Sequence, residues 1–178
     1  WLSRPQLEGP FGHRIMLATG DSSLILLCIA LILGPLNRLK PLTFSKFFPF
    51  RRQVGIWFAI GTFIHLLINL SQLANWNIPL LFGFAYLPRY GTYISVDPGL
   101  SLATLMGFTA FLLTLPVLAT STDKALNYLG NNAWKWLHRF TYTIFYLSAL
   151  HALYFLFIHF SNPTNLNTPL RDNWFRYP

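Results

Sequence analysis

The chain has 178 residues, of which 53% are hydrophobic and only 10% are charged, and its formal net charge is +8. Soluble domains carry roughly 25% charged residues, so these figures exclude an ordinary soluble globule and indicate a single-domain integral membrane protein. With five acidic residues and one cysteine, Cys28, the chain has little for a carboxylate-based site and cannot build an intrachain disulfide, a cysteine-ligated zinc site or an iron–sulfur cluster.

Long stretches without charge predict four transmembrane helices, because a span needs about 20 mostly apolar residues. We name them A to D in chain order. They cover about 16–35 (ending before Gly34-Pro35), 53–73, 99–119 and 136–160. A shorter apolar piece at 78–87 lies between two prolines and predicts an interfacial or re-entrant segment rather than a fifth span.

The predicted fold is therefore an all-α integral membrane helix bundle. Its organisation is an N-terminal extension at 1–15, a transmembrane domain at 16–160 and an irregular C-terminal tail at 161–178. We expect contact with membrane lipids and no nucleic acid partner, since a net positive charge in so apolar a chain is typical of the loops that orient a membrane protein.

Basic residues are concentrated in two of the three connections between these helices. The B–C connection holds only Arg89, whereas the other two hold Arg38, Lys40, Lys46, Arg51, Arg52, Lys124, Lys135 and Arg139. By the positive-inside rule, these two connections face the cytoplasm, stroma or matrix. Both termini then lie on the opposite side if no helix is missing, in a bacterial inner membrane or in a thylakoid or other organelle membrane.

Two histidines are predicted to lie inside the membrane on helices B and D, which run in the same direction. His65 lies roughly 18 Å along helix B and His151 roughly 22 Å along helix D, at 1.5 Å per residue. Ionisable residues within a span are costly and usually functional. The pair suits a heme iron with one imidazole on each face, so we predict that His65 and His151 are metal ligands. The alternative for either histidine is a hydrogen bond between helices.

Further residues are assigned to the same heme site. Gly61 lies one turn before His65 and is expected to let a porphyrin approach. Arg89 is expected either to neutralise a propionate or to anchor its loop. Three aromatic residues lie between the cytoplasmic surface and the depth of the heme, where they either shorten an electron hop or only pack: Trp57, Tyr142 and Phe145.

His138 is harder to assign. It lies 13 residues before His151, which on an ideal helix places the two about 220° apart, on different faces. Helix B offers Arg51, Arg52 and Gln53 at the matching depth, and no histidine. His138 is therefore either a ligand to a second heme with an unusual partner, or a hydrogen-bond partner of a propionate or of the loop, and we favour the latter.

Four motifs in chain order resemble the ferric reductase-like transmembrane domain family, and within it the MsrQ (YedZ) type of heme-binding membrane subunit. The similarity covers about residues 16–158. The motifs are Leu33-Gly34-Pro35-Leu36 with Arg38, Arg51-Arg52-Gln53-Val54-Gly55-Ile56-Trp57 followed by His65, Leu118-Ala119-Thr120-Ser121-Thr122, and Leu137-His138-Arg139 with Tyr142 and Leu150-His151.

The resemblance implies a b-type heme protein that passes electrons across the bilayer to an acceptor on the outer side, with His65, His138 and His151 at the positions of the family's histidines. One heme b is expected, or two if His138 is also a ligand. We see no flavin- or NAD(P)H-binding domain, so the chain would be a redox subunit without catalytic residues of its own. A separate donor would then act on the inner side, and an acceptor or partner subunit on the outer side.

A second function stays open. The chain could instead be an accessory subunit of a larger respiratory or photosynthetic membrane complex, with a structural, pigment-binding or heme-binding role. The absence of a reductase domain and the unmatched His138 fit this alternative as well.

Overall fold

The computed structural model describes residues 11–95 and 97–159. Its elements in chain order are α1 (Phe11–Leu39), α2 (Pro41–Phe44), α3 (Phe50–Ile68) with a π-helical turn (Asn69–Leu73), α4 (Ile78–Leu81), β1 (Phe84–Leu87), β2 (Thr92–Ser95), α5 (Pro98–Ala119), α6 (Asp123–His138) and α7 (Phe140–Phe157). The predicted C-terminal tail and most of the predicted N-terminal extension lie outside the described residues.

Four stretches of the described chain are long and apolar enough to cross a membrane: α1, α3 with its π-helical turn, α5, and the stretch formed by α6 and α7. The helices pack as two antiparallel pairs, α1 with α3 and α5 with α7, and smaller α3–α5 and α1–α7 contacts close the bundle. The core takes one buried residue from each spanning helix, namely Leu27, Phe58, Ala110 and Ile144. The predicted all-α membrane helix bundle is confirmed.

The bundle has two chemically different ends. We call one the basic end; it contains residues 38–52 and 120–139 and carries most of the basic residues. We call the other the hairpin end; it contains residues 74–95 and 97. There β1 and β2 form an antiparallel hairpin, with Leu87 opposite Thr92. Ser101 of α5 donates to the Phe82 carbonyl at 2.6 Å, which ties this connection to the bundle.

The predicted bounds of helix A were wrong, because α1 begins at Phe11 and continues through Gly34-Pro35 to Leu39. Proline removes one backbone donor from a helix, and in membrane helices neighbouring groups compensate for that loss. Near this proline α1 is tied to α3, because Arg51 of α3 donates from Nε to the Ala30 carbonyl at 2.9 Å. The helix continues past the proline that was expected to end it.

The connections between the spans contain further elements. Residues 78–87 form the short α4 and the first strand of the hairpin, and they are not among the four described stretches long and apolar enough to cross a membrane, as predicted. The C–D connection is the amphipathic stretch α6, which is capped at its start by Thr122 and kinked at Gly130 (φ 76°, ψ 159°). Helix D itself is α7, which is shorter than 136–160. A search for charge-free runs cannot find a helix whose outer face is polar, and this is why α6 was missed.

Candidate functional site

His65 of α3 reaches across to the backbone of α1. Its Nδ1 lies 2.9 Å from the Met16 carbonyl oxygen and 3.4 Å from the Thr19 hydroxyl. A carbonyl oxygen can only accept, so Nδ1 carries the hydrogen and donates it. In the neutral imidazole, Nε2 then keeps its lone pair. Metal-ligating histidines usually have this arrangement, with one ring nitrogen donating to a carbonyl and the other free to ligate.

His151 of α7 repeats this contact in the other helix pair. Its Nδ1 lies 2.7 Å from the Ala103 carbonyl oxygen of α5. By the same reasoning Nδ1 donates and Nε2 keeps its lone pair. Both imidazoles are partly buried. The structure thus gives the two histidines predicted as a pair the same kind of contact, on helices that run in the same direction.

A glycine on the facing helix makes room for each imidazole. A methyl group added to Gly20 of α1 would lie 2.9 Å from Cε1 of His65, and one added to Gly107 of α5 would lie 2.6 Å from Nδ1 of His151. Real Cβ atoms essentially never show such distances. Only glycine at these two positions lets the ring lie against the neighbouring backbone, as small residues do where membrane helices approach closely.

The two helix pairs therefore share one local pattern that the sequence reasoning missed. In α1, Gly12, Met16 and Gly20 follow one another at four-residue steps, and in α5 so do Gly99, Ala103 and Gly107. In each helix the middle residue supplies the carbonyl and the last glycine faces the ring. The equal spacing of the two glycines in each helix is visible in the sequence. It indicates a contact with a histidine only once the facing helix is known.

His138 lies elsewhere, at the basic end. Its Nε2 is 3.3 Å from the Thr120 hydroxyl, and its ring stacks on Trp134 with 3.9 Å between centroids. Arg51 and Arg52 are close enough to act on it electrostatically. It ends α6, and Arg139 separates it from α7. Arg139 itself has helical backbone angles (φ −67°, ψ −24°), so α6 continues almost directly into α7. His138 and His151 contact different parts of the chain, near Thr120 and Ala103, and their relative facing stays a prediction.

The other predicted site residues lie in varied surroundings. Gly61 faces Ser23 of α1, so its missing side chain serves the contact between α1 and α3. Arg89 lies exposed between β1 and β2 at the hairpin end. Three aromatic residues were predicted along the electron path. Trp57 and Tyr142 are exposed side chains, and Phe145 packs against the core cluster.

A family model described as ferric reductase like transmembrane component matches residues 19–150. Among curated proteins, the chain is 32% identical over 146 residues to the protein-methionine-sulfoxide reductase heme-binding subunit MsrQ of Ralstonia nicotianae, covering 75% of this chain and 55% of that protein. It is 31% identical over 134 residues to the protein of the same name from Herminiimonas arsenicoxydans, covering 75% and 54%.

A further relative is the magnetosome protein MamZ of Magnetospirillum gryphiswaldense, 27% identical over 146 residues, covering 82% of this chain and 20% of that protein. No solved structure matches. The chain thus spans about half the length of the MsrQ proteins it matches. Since the family model covers most of the chain, and the predicted resemblance is confirmed, this chain belongs to the family of ferric reductase like transmembrane components.

Proposed function

We propose that this chain is a heme-binding electron carrier of the membrane, with Nε2 of His65 and Nε2 of His151 as the two ligands to the iron. The observation that carries the proposal is the matched pair of imidazoles, each of which gives its Nδ1 hydrogen to a carbonyl of the facing helix. The names of the MsrQ relatives, which are heme-binding subunits, support the same cofactor. A bound heme supplies a one-electron redox centre, and bis-imidazole ligation favours electron transfer.

The chain's own residues would hold and orient the ligands. The Met16 and Ala103 carbonyls set which nitrogen of each ring keeps its lone pair, and Gly20 and Gly107 set how closely each ring approaches its neighbouring helix. Gly61 would act indirectly, because the close approach of α1 to α3 at Ser23 keeps His65 against α1. Replacing a group that orients a metal ligand typically changes metal affinity by about 10- to 100-fold.

The two ends of the bundle suggest a direction for electron flow. The basic end would face the cytoplasm, and its charge would attract an acidic donor protein or an anionic reductant. Trp57, Tyr142 and Phe145 lie on the helices that lead from this end towards the histidine pair. The hairpin end, with the exposed Arg89, would meet the acceptor or partner subunit on the outer side.

The test is a dithionite-reduced minus oxidised absorbance spectrum of the detergent-purified chain, with heme quantified per chain. A sharp b-type α-band with one heme per chain is the expected result. Two hemes per chain would instead make His138 a ligand. A chain without heme would overturn the electron-carrier function and leave an accessory structural or pigment-binding subunit as the better account.

Replacing His138 with alanine is expected to leave the heme content unchanged. Its Nε2 contacts Thr120 and its ring stacks on Trp134, at the opposite end of α7 from the histidine pair. The measurement is the pyridine hemochrome content of His138→Ala, with Thr120→Val as a matched control that removes only the hydroxyl contact. A loss of half the heme in His138→Ala would contradict the single-heme assignment.

A further inference from the structure

Asn69 lies one helical turn after His65 and contacts the nitrogen that would ligate the iron. Its side-chain Nδ2 is 3.2 Å from Nε2 of His65 and 2.8 Å from the His65 carbonyl oxygen. Because Nδ1 of His65 donates to Met16, Nε2 is an acceptor. The Asn69 amide has two hydrogens, so it can donate to the ring and to the carbonyl at once.

The corresponding position after His151 carries no such donor. Four residues after His151 is Phe155, whose ring meets the imidazole edge-to-face at 5.0 Å between centroids. The two histidines are thus alike at Nδ1 and different at Nε2. His65 has a hydrogen-bond donor from its own helix directed at its ligating nitrogen, and His151 has an aromatic ring at the equivalent place.

The backbone around Asn69 is also unusual. Asn69 is the first residue of the π-helical turn Asn69–Leu73, and its carbonyl accepts from Ala74 five residues later at 3.1 Å. The backbone N–H of Asn69 already donates to the His65 carbonyl. The bond from the Asn69 side chain to the His65 carbonyl therefore duplicates a backbone bond. The contact with Nε2 of His65 is made by the Asn69 side chain and not by its backbone.

We propose that Asn69 is a positioning residue that competes with iron for Nε2 of His65, so that its hydrogen bond must be released before His65 can bind iron. The reason is that Nε2 has a single lone pair, which either accepts a hydrogen bond or ligates a metal. In the part of the chain that the structure describes, Nε2 of His151 has no such donor from its own helix, so the competition concerns His65. This inference rests on the proposed function.

The experiment is a heme titration of the heme-free chain in detergent, comparing wild type with Asn69→Leu and Asn69→Ser. Removing a competing hydrogen bond should lower the dissociation constant for heme about threefold to tenfold. Ser71→Ala is the matched control on the same π-helical turn, because the Ser71 hydroxyl donates to the Ile68 carbonyl; here we expect less than a twofold change. The serine variant keeps the test valid if leucine disturbs folding.

A second readout does not require heme. In the ¹⁵N spectrum of the heme-free chain, Nε2 of His65 should shift towards the value of a free acceptor in Asn69→Leu, while His151 stays unchanged. If wild type binds heme and neither variant binds it more tightly, or if the Nε2 resonance does not move, the role of Asn69 is overturned and heme binding stands. If wild type takes up no heme, the proposed function itself fails.

Discussion

Replacing either His65 or His151 with alanine is expected to lower the heme content of the purified chain at least tenfold. Each variant removes one of the two proposed imidazole ligands, together with its hydrogen bond to the Met16 or Ala103 carbonyl. Changes that only disturb the orientation of a ligand already cost about 10- to 100-fold in metal affinity. The measurement is the heme-to-protein ratio after purification, together with the reduced α-band.

Adding free imidazole distinguishes the loss of an iron ligand from the loss of the folded bundle. The cavity left by His65→Ala or His151→Ala should accept free imidazole, and heme binding should recover at millimolar imidazole if the bundle is intact. His159→Ala is a suitable control, because His159 follows α7 and its Nδ1 lies 3.5 Å from a carboxylate oxygen of Asp97. Full heme content in both alanine variants would show that the ligands are wrongly assigned.

Adding a single methyl group at Gly107 is expected to weaken heme binding about 10- to 100-fold. In Gly107→Ala the new Cβ would lie 2.6 Å from Nδ1 and 2.8 Å from Cε1 of His151, so the ring must leave the Ala103 carbonyl. Gly20→Ala should act in the same direction on His65 but less strongly, since its nearest ring atom is 2.9 Å away and Nδ1 is 3.2 Å away. The measurement is the dissociation constant for heme and the midpoint potential.

Gly55→Ala provides the matched control for both variants. Gly55 lies on α3, the same helix as His65, and nothing lies within 4 Å of a Cβ built there. Alanine favours a helix over glycine by up to about 1 kcal/mol, so this variant should keep its heme and unfold no more readily than wild type. If Gly20→Ala and Gly107→Ala bind heme as tightly as Gly55→Ala does, close contact with the facing helix does not orient the imidazoles.

The spans, the candidate ligands and the family could be predicted from the sequence alone. The four spans could be located because the thickness of the bilayer demands long apolar runs, which are local properties of the chain. His65 and His151 could be paired as candidates because an ionisable residue inside a span is rare and costly. The family, too, is identifiable from short motifs whose order along the chain needs no structure.

The rest depended on which helix lies beside which. No local pattern shows that Arg51 of α3 donates to the Ala30 carbonyl of α1, or that α1 continues past Pro35. The carbonyls of Met16 and Ala103 became partners of the histidines only when antiparallel packing brought α1 to α3 and α5 to α7. Spacing within a helix determines which residues share a face, but the neighbour of that face is decided by tertiary packing. For this reason the ligand candidates were readable from the sequence, and the groups that orient them were not.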